Sequence, residues 1–193
     1  YLLAWDGLQW SFPQAQPGLL SFQDPVTLNP VSLGCRKPGI NQSGELAVVG
    51  CDTAGGGDIW ITARSIGNAE EWFPPDSAWT SPELVEQSTN PISSPILLAD
   101  SAGRLHAFWI GNESVAESSS DVESILYSRK DTDGWTSPAA VLQSPSGFTR
   151  QPSATIDGND NLYVVWSGGQ AGEIYFSRAL GSRANSPAEW VEP

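Results

Sequence analysis

Methionine is absent from this sequence of 193 residues, and histidine occurs once, as His106. His106 alternates with apolar neighbours in a strand-like run, so we expect a packed or surface side chain there. A single histidine supplies neither a catalytic triad nor a histidine metal site. The sequence also lacks a phosphate-binding glycine loop and a nucleophile elbow. We therefore expect no metal and no cofactor.

Basic residues are few, since nine Lys and Arg stand against 22 Asp and Glu, for a net charge of −13. Such a surface repels phosphate backbones and anionic lipid, so we expect no nucleic-acid partner. No apolar run approaches the length of a membrane span, and no signal-peptide pattern occurs. The missing methionine and the strand-like start at Tyr1 favour an excised or processed piece of a longer protein.

Helical periodicity is also missing, and strand patterns take its place. Residues 151–178 contain three strand-like runs, the second and third at 162–166 and 174–178. The first two are joined by turn residues at 157–160. This turn lacks the following glycine and the distant glutamate of a calcium loop, so we interpret it as a plain hairpin turn.

The same unit recurs upstream. Pro38, Pro95 and Pro152 lie 57 residues apart, and Trp109 lies 57 residues before Trp166. A third-strand motif and a Trp-Ser/Thr-x-Pro motif follow in the same order. The latter begins at Trp10, Trp79 and Trp135, with Trp190 standing alone.

A repeat of this length with four short strands is typical of β-propeller blades, which bury their faces by stacking around an axis. We predict an all-β propeller segment. Residues 1–13 end a preceding blade, and whole four-stranded antiparallel blades cover 31–86, 90–142 and 149–191. A fourth strand near Trp190 completes the last blade, and residues 14–30 form a connection. Trp79, Trp109, Trp135 and Trp166 are interpreted as wedges between blades, and stacking against a ligand is the alternative for one of them. Three blades are too few for a ring, so we expect further blades from the parent chain or from other subunits as partners.

The two cysteines fit one hairpin. With its turn at residues 42–44, Cys35 and Cys51 lie opposite each other on adjacent strands, which predicts a disulfide and an oxidising compartment. A buried pair of free thiols is the alternative. Two sequons, at Asn41 and Asn112, fit an exported protein, extracellular or at the cell surface with the periplasm as the alternative, and are glycosylated only if the host does so.

Short motifs resemble those of the bacterial neuraminidase repeat, or sialidase-like, propellers. They are an R-x-P motif, a G-x-L hairpin, a third strand ending in Arg-Ser and a Trp-x-x-Pro motif, starting at Arg36, Gly44, Gly57 and Trp79. A degenerate Asp-box, which is a turn-stabilising motif, covers residues 128–135.

The resemblance implies a cluster of arginines that binds a carboxylate. Arg36 matches the position of the first arginine, and Arg150 takes the equivalent place in the third blade, although both also fit a structural role at the channel. Asp52 and Asp58 are weak candidates for a catalytic acid, and no Tyr–Glu nucleophile pair can be assigned.

We therefore expect a non-catalytic propeller module for recognition or assembly. Its ligand is a glycan, a protein or a neighbouring subunit. The alternative is part of a sialidase or related glycoside hydrolase whose remaining active site lies outside this chain.

Overall fold

The structure is a computed structural model that describes residues 21–24, 30–41, 45–52, 57–65, 79–88, 92–113, 122–145, 147–169 and 171–193. The predicted partial blade at residues 1–13 and the predicted turn at 42–44 lie outside these residues. Within them the structure is all-β, with three antiparallel sheets. This architecture is compatible with a fragment of a β-propeller and does not form a closed ring.

The first sheet is a five-stranded antiparallel meander in chain order. Its strands are β1 (Ser21–Gln23), β2 (Pro30–Ile40), β3 (Glu45–Asp52), β4 (Ile59–Ser65) and β5 (Glu83–Glu86). β1 pairs with β2 inside the segment that we predicted as a connection, so that prediction was wrong for these three residues. β3 is buried along nearly its whole length, because both faces of this sheet are covered.

The second sheet repeats the meander. Its strands are β6 (Ser93–Ala99), β7 (Leu105–Glu113), β8 (Val122–Asp131), β9 (Gly134–Trp135) and β10 (Ala139–Gln143). The order is β10-β8-β7-β6, and β9 pairs with β8. The segment that resembles an Asp-box forms the end of β8 and the tight turn into β9, where Gly134 has a φ of 115°.

The third sheet has three strands, β11 (Thr149–Ile156), β12 (Asn161–Gly168) and β13 (Glu173–Leu180). The predicted fourth strand near Trp190 is wrong, since a 3-10 helix at Pro187–Glu189 precedes Trp190 instead. The segment after this helix still makes one backbone hydrogen bond to β13 of the kind that a fourth strand would make. It runs from the N–H of Val191 to the carbonyl of Arg178 at 3.0 Å.

One side chain anchors each hairpin between the first two long strands of a sheet. The side-chain oxygens of Asn41, Asp100 and Asp157 each accept the backbone N–H of the residue four positions later, at 2.8 to 2.9 Å. These anchors are 59 and then 57 residues apart. The predicted constant offset of 57 is therefore wrong between the first two sheets.

The Trp-Ser/Thr motif joins the third long strand to the segment after it. The hydroxyls of Thr62 and Ser128 donate to the carbonyls of Thr80 and Thr136 at 2.8 and 2.6 Å. The Ser177 hydroxyl donates in the same way to the carbonyl of Val191. The repeated motif therefore fixes the outer edge of each sheet, even where no fourth strand forms.

Two apolar seams hold the three sheets face to face. Trp109 lies in the seam between the first and second sheets, and Trp166 lies in the seam between the second and third. Both indoles are at most 1% exposed, as predicted for wedges between blades. Trp79 and Trp135 are only partly buried, so the strongest wedges are the tryptophans of the second strands.

A disulfide joins Cys35 and Cys51, whose Cα atoms are 5.8 Å apart. The predicted pairing is confirmed, but not its register, because a β-bulge between Gly34 and Lys37 shifts β2 by one residue. Cys51 lies opposite Gly34, and Cys35 sits in the bulge. The disulfide indicates an oxidising compartment.

Truncation of a seam tryptophan tests the stacked architecture. We expect Trp166→Ala to lower the free energy of unfolding by about 3–5 kcal/mol, because it leaves a large cavity and removes the hydrogen bond from the indole N–H to the Ser144 hydroxyl. Urea unfolding measures the loss. The control is Phe148→Ala, which removes a ring that is 44% exposed; equal losses in both variants would contradict the two-seam structure.

Removal of the disulfide tests the first hairpin. Closing a loop with a sequence separation of 16 constrains the unfolded chain, so we expect Cys35→Ser with Cys51→Ser to cost about 3 kcal/mol. Thermal unfolding of the oxidised protein, the reduced protein and the double variant measures it. The reduced protein and the variant should agree, and an unchanged midpoint on reduction would count against the bridge.

Candidate functional site

A β-bulge interrupts the first long strand of each sheet at the same place. The bulges lie between Gly34 and Lys37 in β2, between Ser93 and Ile96 in β6, and between Arg150 and Ser153 in β11. Each contains one non-glycine residue with a left-handed backbone, at φ values of 35°, 54° and 48° for Cys35, Ser94 and Gln151. Such backbone is costly and is concentrated near functional sites.

The three bulges converge on one cleft. β2 packs beside β6, and β6 beside β11, so the inner strands of all three sheets contribute to its wall. The cleft has a volume of about 470 Å³. We call it the inner-strand cleft; its lining residues are Lys37, Pro38, Ser94, Pro95, Ile96, Leu97, Leu98, Gln151, Pro152, Ser153 and Ala154.

The lining combines apolar side chains with a few hydrogen-bonding groups and one charge. Lys37 is exposed and is the only charged residue among the lining residues that the structure describes. Ser94, Gln151 and Ser153 add two hydroxyls and one amide. A cationic group in a wall without carboxylates contrasts with the net charge of −13 for the whole chain. The cleft therefore favours a ligand that carries negative charge and hydroxyl groups.

The predicted arginines lie beside this cleft and not in its lining. Arg36 is exposed inside the bulge of β2, next to Lys37. Arg150 precedes the bulge of β11, and its guanidinium lies 5.7 Å from the centre of the Phe148 ring. The two arginines therefore occupy different positions of the bulge, and the predicted equivalence between them is wrong. Their role as ligand-binding residues stays a prediction.

Asp52 and Asp58, the two weak candidates for a catalytic acid, lie at the end of β3 and just before β4. Asp58 accepts the backbone N–H of Ser88 at 2.9 Å, and its carbonyl accepts the N–H of Asp52 at 2.8 Å. Asp52 is buried at the end of β3. Neither carboxylate lies among the lining residues of the cleft, and the bond to Ser88 gives Asp58 a structural task.

A buried polar cluster lies at the other end of the second sheet, where its hairpin turns. We call Asp100, Arg104, His106, Tyr127 and Arg129 the turn-end cluster. His106 Nδ1 is 2.7 Å from the Tyr127 hydroxyl, and His106 Nε2 is 3.3 Å from Asp100 Oδ2. Arg104 Nε donates to the same carboxylate at 2.6 Å. The sequence predicted only a packed or surface His106, because these partners come together from separate strands.

Burial and charge set the protonation of this cluster. Desolvation lowers the pKa of His106, and the neighbouring Asp100 carboxylate opposes the shift only in part. Desolvation alone raises the pKa of Asp100, but the hydrogen bonds from Arg104 and His106 hold it below its usual value. Burial raises the pKa of Tyr127. A neutral imidazole that donates from Nε2 and accepts the Tyr127 hydroxyl at Nδ1 satisfies these contacts.

The sequons differ in accessibility. Asn41 is buried, its Oδ1 accepts the N–H of Glu45, and its Nδ2 donates to the Glu45 carboxylate at 3.0 Å. Nδ2, the atom that would carry a glycan, is therefore buried and already bonded to Glu45. Asn112 lies near the end of β7 and is partly exposed. Glycosylation of either asparagine stays a prediction.

In the hairpin turn of the third sheet, the Asp157 carboxylate is hydrogen-bonded by residues of the same hairpin. Asp157 accepts hydrogen bonds from the backbone of Asn159 and Asn161, from the Asn161 side chain and from the Tyr163 hydroxyl. The Asn161 bonds, foremost among these, lower the pKa of Asp157 to about 2. In the described part of the chain, no group of three or more histidine, cysteine or acidic side chains could hold a metal.

The inner-strand cleft could be found from sequence only through its prolines. Pro95 and Pro152 each follow a left-handed residue, and proline in a strand indicates an edge or a bulge. The proline repeat was recognised, but its meaning as a series of bulges around one cleft was missed. Lys37 was not predicted either, although it is adjacent in sequence to the predicted Arg36.

Comparison with known proteins finds the fold but no family. No protein-family model and no curated protein matches the chain. It is similar in structure to an ulvan lyase from a new family of polysaccharide lyase, PL25, solved free and bound to -[GlcA(1-4)Rha3S]-. In both cases the TM-score is 0.58 and the identity is 11%, over 97% of this chain and 47% of the lyase. The chain thus spans about half the lyase's length and shares a β-propeller-type fold with a carbohydrate-active protein.

Among the described residues, the helix at Pro187–Glu189 is far too short to cross a membrane, and no other helix there is long and apolar enough to do so.

The pH dependence of stability tests the turn-end cluster. Because the pKa of His106 is lower in the folded chain than its usual 6.5, the unfolded chain binds the proton first as the pH falls. We expect the free energy of unfolding to fall as the pH drops below about 6.5. Urea unfolding across this range measures it. His106→Gln serves as the reference, since the chain has no other histidine; parallel profiles for both proteins would contradict the assignment.

Proposed function

We propose that this chain is a carbohydrate-binding part of an extracellular or cell-surface β-propeller, with the inner-strand cleft as its binding site. The observation that carries the proposal is the convergence of three strained bulges on one cleft whose described lining has a single cation and no carboxylate. The disulfide between Cys35 and Cys51 supports an exported protein.

The chemistry of the wall favours an acidic glycan. Lys37 offers an ammonium group to a carboxylate or sulfate, and hydroxyl and amide groups on β6 and β11 match sugar hydroxyls. Exposed Arg36 and Arg150 extend the positive charge along the same bulges. Prolines 38, 95 and 152 give an apolar floor for sugar ring faces. The saccharide in the related lyase structure, written with a uronic acid and a sulfated sugar, is of this class.

Binding is measured by calorimetry with an oligosaccharide of the -[GlcA(1-4)Rha3S]- type, and with the same oligosaccharide after desulfation and carboxyl reduction. We expect affinity for the charged form only, and a loss of about 10- to 150-fold in Lys37→Gln, since one charge-assisted hydrogen bond contributes about 1.5–3 kcal/mol. Arg150→Gln should weaken binding less, because its guanidinium lies over Phe148 and outside the lining.

The matched control is Arg183→Gln, which removes an exposed arginine far from the bulges, paired with Glu189 at 3.6 Å. Its affinity should equal that of the unmodified protein. Equal affinity for charged and neutral saccharides, or an equal loss of affinity in the Lys37 and Arg183 variants, would show that the cleft does not distinguish charged from neutral ligands.

The second candidate is a part of a carbohydrate-active enzyme, such as a sialidase or related glycoside hydrolase. The fold shared with a lyase favours it. A fluorogenic sialoside and the acidic oligosaccharide are assayed for turnover with the full-length parent protein and with Arg36→Ala. Turnover that is lost in the variant supports the enzyme, and binding without turnover supports the recognition module.

A further inference from the structure

The face of the third sheet that points away from the second sheet is apolar and open. β12 alternates in burial, with Leu162, Val164 and Trp166 packed toward the second sheet. The residues between and beside them are exposed: Val165 is 41% exposed, Phe176 48% and Ile174 74%. We call Val165, Ile174 and Phe176 the open face.

The strand pairing identifies the residues that hold the positions of the open face in the first and second sheets. Val165 lies opposite Phe176, as Phe108 lies opposite Tyr127 and Val49 opposite Ile61. The equivalent residues of the first two sheets are at most 3% exposed, because the next sheet covers them. The open face is therefore the one copy of this surface that the described structure leaves uncovered.

A polar contact repeats beside the apolar positions. Arg129 on β8 donates from Nη1 to the carbonyl of Gly181, which lies in the turn after β13, at 3.1 Å. Arg178 holds the equivalent place on β13, opposite Tyr163 as Arg129 is opposite His106, and it is exposed. The third sheet thus presents both the apolar surface and the arginine that the second sheet uses to hold its neighbour.

We infer that the open face binds a further blade of this same repeat. At each existing seam, a sheet is covered by the second strand of the next sheet. That strand presents a leucine, a smaller apolar residue and a tryptophan on one face, as in Leu105-Ala107-Trp109 and Leu162-Val164-Trp166. A second copy of this chain would have to offer Leu46 and Val48 from its first sheet. Those side chains are only 5% and 7% exposed, so that surface is already covered.

A duplicated blade tests this inference. The motif at residues 190–193 takes the place of the motif at 135–138, so a second copy of residues 139–193 attached after Pro193 supplies a fourth strand and then a new blade. The copied Leu162-Val164-Trp166 surface would cover the open face. We expect the extended protein to have a higher Tm and to lose most of the fluorescence of the apolar dye ANS that the 193-residue chain shows.

Substitutions identify the surface responsible. Phe176→Asp in the original third sheet should leave the Tm of the 193-residue chain nearly unchanged, because the ring is half exposed, but should abolish the gain in the extended protein. Ile40→Asp, at an apolar residue of the first sheet that is 61% exposed, should leave the gain intact. An extended protein with unchanged Tm and dye binding would overturn the inference. So would a 193-residue chain that is a dimer by light scattering and dissociates on Phe176→Asp, since a second copy would then be the occupant.

Discussion

The burial of each sheet against the next is the constraint on which the rest of the structure depends. A small twisted sheet cannot cover both of its own faces, so each second strand turns one apolar face backward and one forward. Trp109 and Trp166 fill the two seams from the backward faces. Because the seams fix neighbouring sheets side by side, the bulged inner strands meet, and the inner-strand cleft is a consequence of the packing.

The two seams are alike in apolar content and different in polar content. Where the second sheet meets the third, Arg129 donates to the carbonyl of Gly181 at 3.1 Å, and the Tyr127 hydroxyl, which hydrogen-bonds His106, lies 3.4 Å from the same oxygen. The first sheet has Ile61 and Ala63 at those positions, and neither side chain can form a hydrogen bond across the first seam. The histidine-containing cluster therefore lies at the seam between the second and third sheets, and the open face beyond it repeats the arginine but not the tyrosine.

Much of the fold could be predicted from the sequence, because strands and hairpin turns have local signals. The hairpin at Asp157 and the pairing of Cys35 with Cys51 are of this kind. The register was wrong where a bulge absorbs an extra residue, since a bulge is specified by packing between strands. The offset of 57 followed the prolines, yet Pro38 lies beyond its bulge while Pro95 and Pro152 lie inside theirs. The prediction of a fourth strand at Trp190 was wrong because Trp190 takes the place of Trp135, which lies before β10 in the second sheet and not in it.

The candidate site could not be predicted, since its wall comes from three strands far apart in sequence. The strongest evidence for this site is the conformational strain of its backbone. A non-glycine residue in left-handed backbone costs on the order of 1–3 kcal/mol, and the three inner strands each contain one at the same place. Cys35 is held by a disulfide, whereas Ser94 and Gln151 have no such bond and line the cleft. The proposed binding of an acidic glycan beside Lys37 uses these bulges and not the apolar seams.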